Sequence, residues 1–113
     1  MSKIYAFDLD ETLCYREKDV EHLGPDKYSY CHPIQPMIDK LNRLYDEGNT
    51  IYIYTARGMG QFNGDLIKVY NHLYVLTLDC LKKWGINHHG LIMGKIHYDY
   101  LIDDKAINSN DFK

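Results

Sequence analysis

The residues best suited to chemistry are acidic, and they stand near the beginning and near the end of the chain. Asp8 and Asp10 are separated by one leucine, and Asp104 closes a second acidic pair. Carboxylates gathered a few ångströms apart cannot all remain ionised unaided, and a hard cation with oxygen ligands relieves their repulsion. Mg²⁺ suits such a site because it takes few carboxylates together with waters and phosphate oxygens. The acidic residues therefore predict a magnesium site.

Two further polar segments supply a hydroxyl and positive charge. Thr55-Ala56-Arg57 directly follows one apolar run, and Lys95 comes shortly after another. A lysine offers a fixed positive charge and a threonine offers a hydroxyl donor. Combined with carboxylates and a metal ion, these groups predict a site that holds a phosphoryl group.

Each of these polar segments follows a predicted strand. Compact apolar runs predict four strands, the first of them buried on both faces: Ile4–Phe7, Ile51–Tyr54, Leu91–Met93 and Tyr98–Ile102. Helical periodicity indicates one helix from Pro36 to a stop at Gly48, and a longer one from Leu66 to Trp84. Strands alternating with helices predict an α/β fold with a parallel sheet. Ligands of such sheets bind outside the carboxyl ends of the strands, where the polar segments would meet.

Residues 11–35 show no clean periodicity and carry mixed charge with Gly24, Pro25 and Pro33. A connection of that length inside a small domain is usually functional. We therefore expect a flap loop over about residues 11–35, beside the site.

The quoted segments resemble the four motifs of the haloacid dehalogenase (HAD) superfamily, in that family's order and over nearly the whole chain. Asp8-Leu9-Asp10-Glu11-Thr12-Leu13 resembles motif I, Thr55 motif II, Lys95 motif III, and Ile102-Asp103-Asp104 motif IV. The resemblance implies a three-layer Rossmann-like parallel sheet. It also implies a capless member, because neither gap between motifs has room for a cap domain.

The resemblance also implies catalytic roles. Asp8 would be the nucleophile that forms an aspartyl-phosphate, and Asp10 would protonate the leaving oxygen and then activate water. Thr55 would hydrogen-bond the phosphoryl group, and Lys95 would neutralise its charge and orient Asp8.

Metal and substrate contacts complete the implied site. Asp8 and the backbone carbonyl of Asp10 would meet Mg²⁺ together with Asp104 as a direct ligand, and Asp103 would stand beside that ligand. Thr12 and Arg57 would join Thr55 and Lys95 in contacting the substrate, although Arg57 could equally form a surface ion pair.

These roles predict a Mg²⁺-dependent phosphomonoesterase acting on a small phosphorylated metabolite. The Thr-Ala-Arg-Gly and Ile-Asp-Asp-Lys-Ala segments are similar to those of small phosphatases of surface-polysaccharide biosynthesis, which implies a sugar or polyol phosphate. Alternatives are a phosphatase of nucleotides or polynucleotide ends, and a receiver-like or non-catalytic module that binds a phosphoryl group.

Composition limits these choices further. A chain of 113 residues predicts a single domain, 1–113, which could form a homodimer to complete its pocket. The net charge of −3 argues against a nucleic-acid partner. No apolar run is long enough for a membrane span, and three cysteines without a C-x-x-C indicate a reducing compartment. We therefore expect a cytoplasmic protein without a membrane partner.

Overall fold

The computed structural model of the protein describes residues 2–112. In this part of the chain the strands are β1 (Ile4–Phe7), β2 (Cys14–Tyr15), β3 (His32–Pro33), β4 (Thr50–Thr55) and β5 (Gly90–Met93). Two α-helices connect the longer strands: α1 (Gln35–Asp46) and α2 (Leu66–Lys83). Short 3₁₀ helix occurs in Lys18–Tyr30 and Ser109–Asp111.

The three longer strands form a parallel sheet in the order β1-β4-β5. Phe7 pairs with Ile53, which in turn pairs with Leu91. Parallel neighbours require a crossover connection, and α1 and α2 provide the two crossovers. The predicted Rossmann-like α/β sheet without a cap domain is thus confirmed.

The core forms where the helices cover this sheet. Helix α1 starts with Pro36 in its first turn and buries Met37, Ile38 and Leu41. Helix α2 is capped by the Asp65 side chain, which accepts a hydrogen bond from the Lys68 amide at 3.2 Å. It buries a stripe at four-residue spacing: Val69, Leu73, Thr77 and Leu81. The apolar periodicity therefore identified both helices and their inner faces.

The other face of the sheet is largely uncovered, so the prediction that the first strand is buried on both faces is wrong. Ile4 is 74% exposed, so β1 is buried on one face only. Residues 98–102 form no strand, and Ile102 is 95% exposed. An apolar run cannot by itself supply a pairing partner, and within residues 2–112 this segment pairs with no strand, so the predicted fourth strand is wrong.

The flap is more ordered than a plain loop. Strands β2 and β3 pair antiparallel at its base, with Cys14 opposite Pro33 and Tyr15 opposite His32. Between them the 3₁₀ stretch is interrupted at Gly24, whose φ of 62° is one that glycine adopts without strain. A two-stranded ribbon that begins four residues after Asp10 therefore forms the base of the flap.

Neither helix within residues 2–112 combines the length and apolar character that crossing a bilayer requires.

Candidate active site

Asp8 lies just beyond the carboxyl end of β1, with its side chain 40% exposed. Its Oδ1 accepts a hydrogen bond from the Leu9 amide at 2.9 Å. Lys95 Nζ lies 3.9 Å from the same oxygen. Burial raises the pKa of Asp8 above its ordinary value, while the positive charge of Lys95 acts against that rise. A partly exposed carboxylate beside a lysine is available to an incoming ligand.

Lys95 is brought to Asp8 by the loop that follows β5. Its amide donates to the carbonyl of Thr55 at 3.1 Å, so the ends of β4 and β5 are joined there. Its ammonium group lies 5.8 Å from the ring centre of Tyr54 and 5.3 Å from that of Tyr98. The structure therefore brings the predicted residues Asp8, Thr55 and Lys95 to one edge of the sheet.

Asp10 forms a two-pronged ion pair with Arg57. Arg57 Nη2 donates to Asp10 Oδ1 at 2.8 Å, and Arg57 Nε donates to Oδ2 at 3.0 Å. The Arg57 side chain is completely buried and the Asp10 side chain is 19% exposed. Such fork geometry is the strongest arrangement of an arginine and a carboxylate. Arg57 therefore faces Asp10 in this structure and has no surface for a substrate.

A second arginine reaches Asp10 from the flap. Arg16 Nη1 donates to Asp10 Oδ1 at 2.9 Å, and its Nε donates to Glu21 at 3.1 Å. Burial alone would raise the pKa of Asp10, but the hydrogen bonds and charge of Arg57, together with the charge of Arg16, outweigh burial and lower it. Asp10 is consequently held as a carboxylate, and the flap is tied to it.

Tyr28 connects the flap to the loop after β4. Its hydroxyl accepts a hydrogen bond from the Gly58 amide at 3.2 Å and donates one to Gln61 at 3.2 Å. Its ring lies 4.6 Å from the Arg57 guanidinium carbon and 4.9 Å from that of Arg16. Tyr28 is buried, and its ring stabilises both nearby guanidinium groups by cation–π attraction. The flap therefore rests on the same arginines that hold Asp10.

The predicted threonines are placed differently. Thr55 is 1% exposed, and its hydroxyl accepts a hydrogen bond from the Arg57 amide at 3.0 Å. This bond fixes the turn after β4, and the predicted contact of that hydroxyl with a phosphoryl group stays a prediction. Thr12 is half-buried in the turn after Asp10, where its amide donates to the Leu9 carbonyl at 3.1 Å.

The acidic pair near the end of the chain stands apart. Asp103 and Asp104 are exposed within an irregular segment, and Asp103 Oδ1 accepts a hydrogen bond from the Lys105 amide at 3.0 Å. That bond lowers the pKa of Asp103. Within residues 2–112 no hydrogen bond or ion pair joins either residue to Asp8 or Asp10. Their roles as metal ligands stay predictions.

The residues after β1 offer oxygen ligands, the type of ligand that Mg²⁺ prefers. The Asp8 carboxylate is partly exposed and the Asp10 backbone offers a carbonyl, whereas the Asp10 carboxylate is occupied by arginines. Mg²⁺ is commonly held by one or two protein oxygens plus waters and substrate phosphate. The residues present therefore fit a magnesium ion beside Asp8.

Two thiols complete the surroundings of Asp10. Ligand atoms of Asp10, Cys14 and Cys31 all lie within 4.8 Å of one another. Arg57 Nη2 lies 3.6 Å from the Cys14 sulfur and 3.5 Å from the Cys31 sulfur. A guanidinium group thus occupies the centre of this cluster, and its charge opposes a second cation there. Hydrogen bonding with Cys14 and the charge of Arg57 lower the pKa of Cys31 to about 7.

Sequence reasoning missed Arg16, Tyr28, Cys14 and Cys31 as neighbours of Asp10. These residues lie in or beside the flap, where no periodicity indicated which side chains turn inward. The position of Arg57 two residues after Thr55 was a signal, but only the structure shows that its partner is Asp10.

Comparison with known proteins identifies the family. Residues 3–75 match the family model described as polynucleotide kinase 3 phosphatase. The chain belongs to this family. The matched region includes Asp8, Asp10 and Thr55, so the HAD-type phosphatase character predicted from these residues agrees with the match at the level of the family.

A solved structure extends the similarity to almost the whole chain. The crystal structure of a structural-genomics target from Vibrio cholerae is 26% identical, with a TM-score of 0.81, and the alignment covers 97% of this chain and 85% of that one. No curated protein matches the sequence.

Proposed function

We propose that the protein is a Mg²⁺-dependent phosphomonoesterase in which Asp8 is transiently phosphorylated. The observation that carries this proposal is the partly exposed Asp8 carboxylate with Lys95 Nζ at 3.9 Å, beside an Asp10 that two arginines hold. Membership of a phosphatase family supports the reaction type.

In the first half of the proposed reaction, an Asp8 oxygen attacks phosphorus and the bond to the ester oxygen breaks. Lys95 binds a phosphoryl oxygen, and the leaving alcohol takes a proton from Asp10. Arg57 and Arg16 favour the ionised form of Asp10. Asp10 can therefore carry the proton that it donates only when its contacts with these arginines weaken. Withdrawal of Arg16 with the flap would remove one of the two guanidinium groups. When bound beside Asp8, Mg²⁺ supplies charge neutralisation for the phosphoryl group.

In the second half, water attacks the phosphorus of the acyl phosphate, and free phosphate and Asp8 are restored. Here the ionised Asp10 accepts the proton of the attacking water. The arginine contacts that oppose the first proton transfer favour this one, because they stabilise the carboxylate that must act as the base. Closure of the flap would therefore suit hydrolysis of the intermediate.

The substrate proposed first is a small phosphomonoester, such as a sugar or polyol phosphate. Among the described cations near Asp8, Arg16 and Arg57 are paired with carboxylates, which leaves Lys95 to meet the phosphate. A single lysine beside the nucleophile, 3.9 Å from Asp8, matches a terminal phosphate better than a chain of phosphates.

A polynucleotide end is the second candidate, and two observations favour it. One is the match to the polynucleotide kinase 3 phosphatase family. The other is the pair of tyrosines beside Lys95: Tyr54 is 38% exposed and Tyr98 is 39% exposed. Exposed aromatic rings can stack on nucleobases next to a phosphate site.

The deciding experiment measures phosphate release from sugar phosphates, polyol phosphates and oligonucleotides carrying a 3′- or 5′-phosphate. Each reaction is run with Mg²⁺ and with EDTA. The variant Asp8→Asn should lose turnover, whereas the matched control Asp79→Asn, on the exposed side of α2, should retain it. Release from no compound, or undiminished release by Asp8→Asn, would refute the proposal. Preference for one substrate class decides between the two candidates.

A further inference from the structure

Cys14 and Cys31 are a thiol pair placed at the two ends of the flap. Cys14 begins β2, and Cys31 comes directly before β3. In the antiparallel register Cys14 faces Pro33, so Cys31 lies two residues along and projects from the same face of the ribbon. The two sulfurs lie within 4.8 Å of each other, and both thiols are free. The pair is thus preassembled by the flap's own strands.

The pair can be reached from the surface on one side. Cys14 is completely buried, whereas Cys31 is 9% exposed. Cys31 also lines a surface cavity of about 390 Å³, together with Ser29, Tyr30 and His32. A small oxidant therefore reaches Cys31 first, and Cys14 is the residue positioned to resolve the product.

We propose that Cys14 and Cys31 form a reversible disulfide when a peroxide oxidises the protein, and that this cross-link slows turnover. In the first step the Cys31 sulfur takes an oxygen from the peroxide, which is reduced, giving a sulfenic acid and one water from hydrogen peroxide. In the second step the Cys14 thiol attacks the Cys31 sulfur, and a second water leaves as the disulfide forms. Two thiols lose two electrons in total, and the peroxide accepts them.

The cross-link would change the surroundings of Asp10. Disulfide bonding brings two sulfurs to about 2.05 Å, so one or both must move from their present positions. Both sulfurs now contact Arg57 Nη2, and the Cys14 thiol also donates to Asp10 Oδ1 at 3.5 Å. The bond would also close the flap covalently at its base. Misplacement of catalytic groups by about 1 Å can cost on the order of 100-fold in rate.

The first test is chemical and does not depend on the proposed function. The folded protein is treated with hydrogen peroxide, denatured, alkylated and analysed by intact mass and peptide mapping. We expect loss of two hydrogens and a linked pair of peptides containing Cys14 and Cys31. Cys80→Ser, the matched control, should form the same link, and Cys14→Ser and Cys31→Ser should not. A cross-link involving Cys80, dimers linked between chains, or overoxidised Cys31 without a link would overturn the proposed disulfide.

The second test measures the consequence and rests on the proposed phosphatase activity. With the best phosphomonoester of the panel, oxidised wild type should lose activity by about tenfold or more, and dithiothreitol should restore it. Cys31→Ala, which lacks the thiol that peroxide attacks, should keep after the same treatment the activity it had before treatment. An unchanged rate in protein that mass analysis shows to be cross-linked would refute the effect on turnover. Absence of activity in reduced wild type would instead refute the proposed function and leave the disulfide to be judged by mass alone.

Discussion

Replacing Arg57 by methionine tests the central ion pair of the site. The change removes the guanidinium group and keeps most of the volume of a completely buried side chain. Removing one partner of a buried pair typically costs about 3–5 kcal/mol, because a charge is left behind. Here Asp10 keeps its contact with Arg16 at 2.9 Å and is 19% exposed, so water and a second cation compensate in part. We therefore expect a loss of roughly 2–3 kcal/mol in the free energy of unfolding.

This loss should be measured by urea unfolding and by thermal melting at neutral pH. A loss of that size lowers Tm by roughly 10 °C for a domain of about 100 residues. Arg43→Met is the matched control, because Arg43 is exposed near the end of α1 and should change stability by less than about 0.5 kcal/mol.

The same comparison depends on pH in a defined direction. The arginines depress the pKa of Asp10 in the folded protein below the ordinary value of 3.8. The stabilisation linked to this pair is therefore fully present above pH 3.8 and is lost as the pH falls through the folded-state pKa. The difference between wild type and Arg57→Met should shrink in acid. A variant as stable as wild type, or a difference that grows in acid, would refute the reasoning.

Three further substitutions test neighbouring contacts. Tyr28→Phe removes the acceptor of the buried Gly58 amide and should cost about 1–2 kcal/mol in urea unfolding; an unchanged midpoint would show that this bond contributes nothing. Gly58→Ala places a Cβ against Leu73 Cδ1 at a φ of 83° and should lower stability by about 2 kcal/mol, whereas Gly60→Ala, with open space around it, is its control. Lys95→Met removes the charge that lowers the pKa of Asp8, so the acidic limb of the kcat/KM profile should move to higher pH; a limb that stays in place would contradict the role of Lys95.

The sequence was informative wherever a regular element carries a polar residue at its end. Asp8 directly follows β1 and Thr55 is the last residue of β4, so both lie at the carboxyl ends of strands, as the apolar runs predicted; their catalytic roles stay predictions. Both helices were predictable for the related reason that burial of one face imposes a period of about 3.6 residues. Both regularities depend on local sequence alone, so a single amino-acid sequence is enough to predict these elements.

The side chains that contact Asp10 could not be predicted from the sequence. Arg16, Tyr28 and Arg57 meet there only because the flap folds back on the loop after β4, and no period relates residues in different loops. The predicted strand at residues 98–102 failed for a similar reason. An apolar run can form a strand only where a neighbour pairs with it, and pairing is decided by the rest of the fold.

The arrangement of charge around Asp8 restricts how a substrate can be held. Arg57 and Arg16 form ion pairs with Asp10, and Glu21 forms ion pairs with Arg16 and Lys27. These pairs leave few cations near Asp8 without a carboxylate partner, although the site contains several cations. Proteins that follow a nucleic-acid backbone need a succession of unpaired cations, because each neutralised phosphate adds to affinity by releasing a counterion. If a polynucleotide end is the substrate, its terminal phosphate and stacked end base must therefore provide most of the binding, with little contribution from the remaining chain.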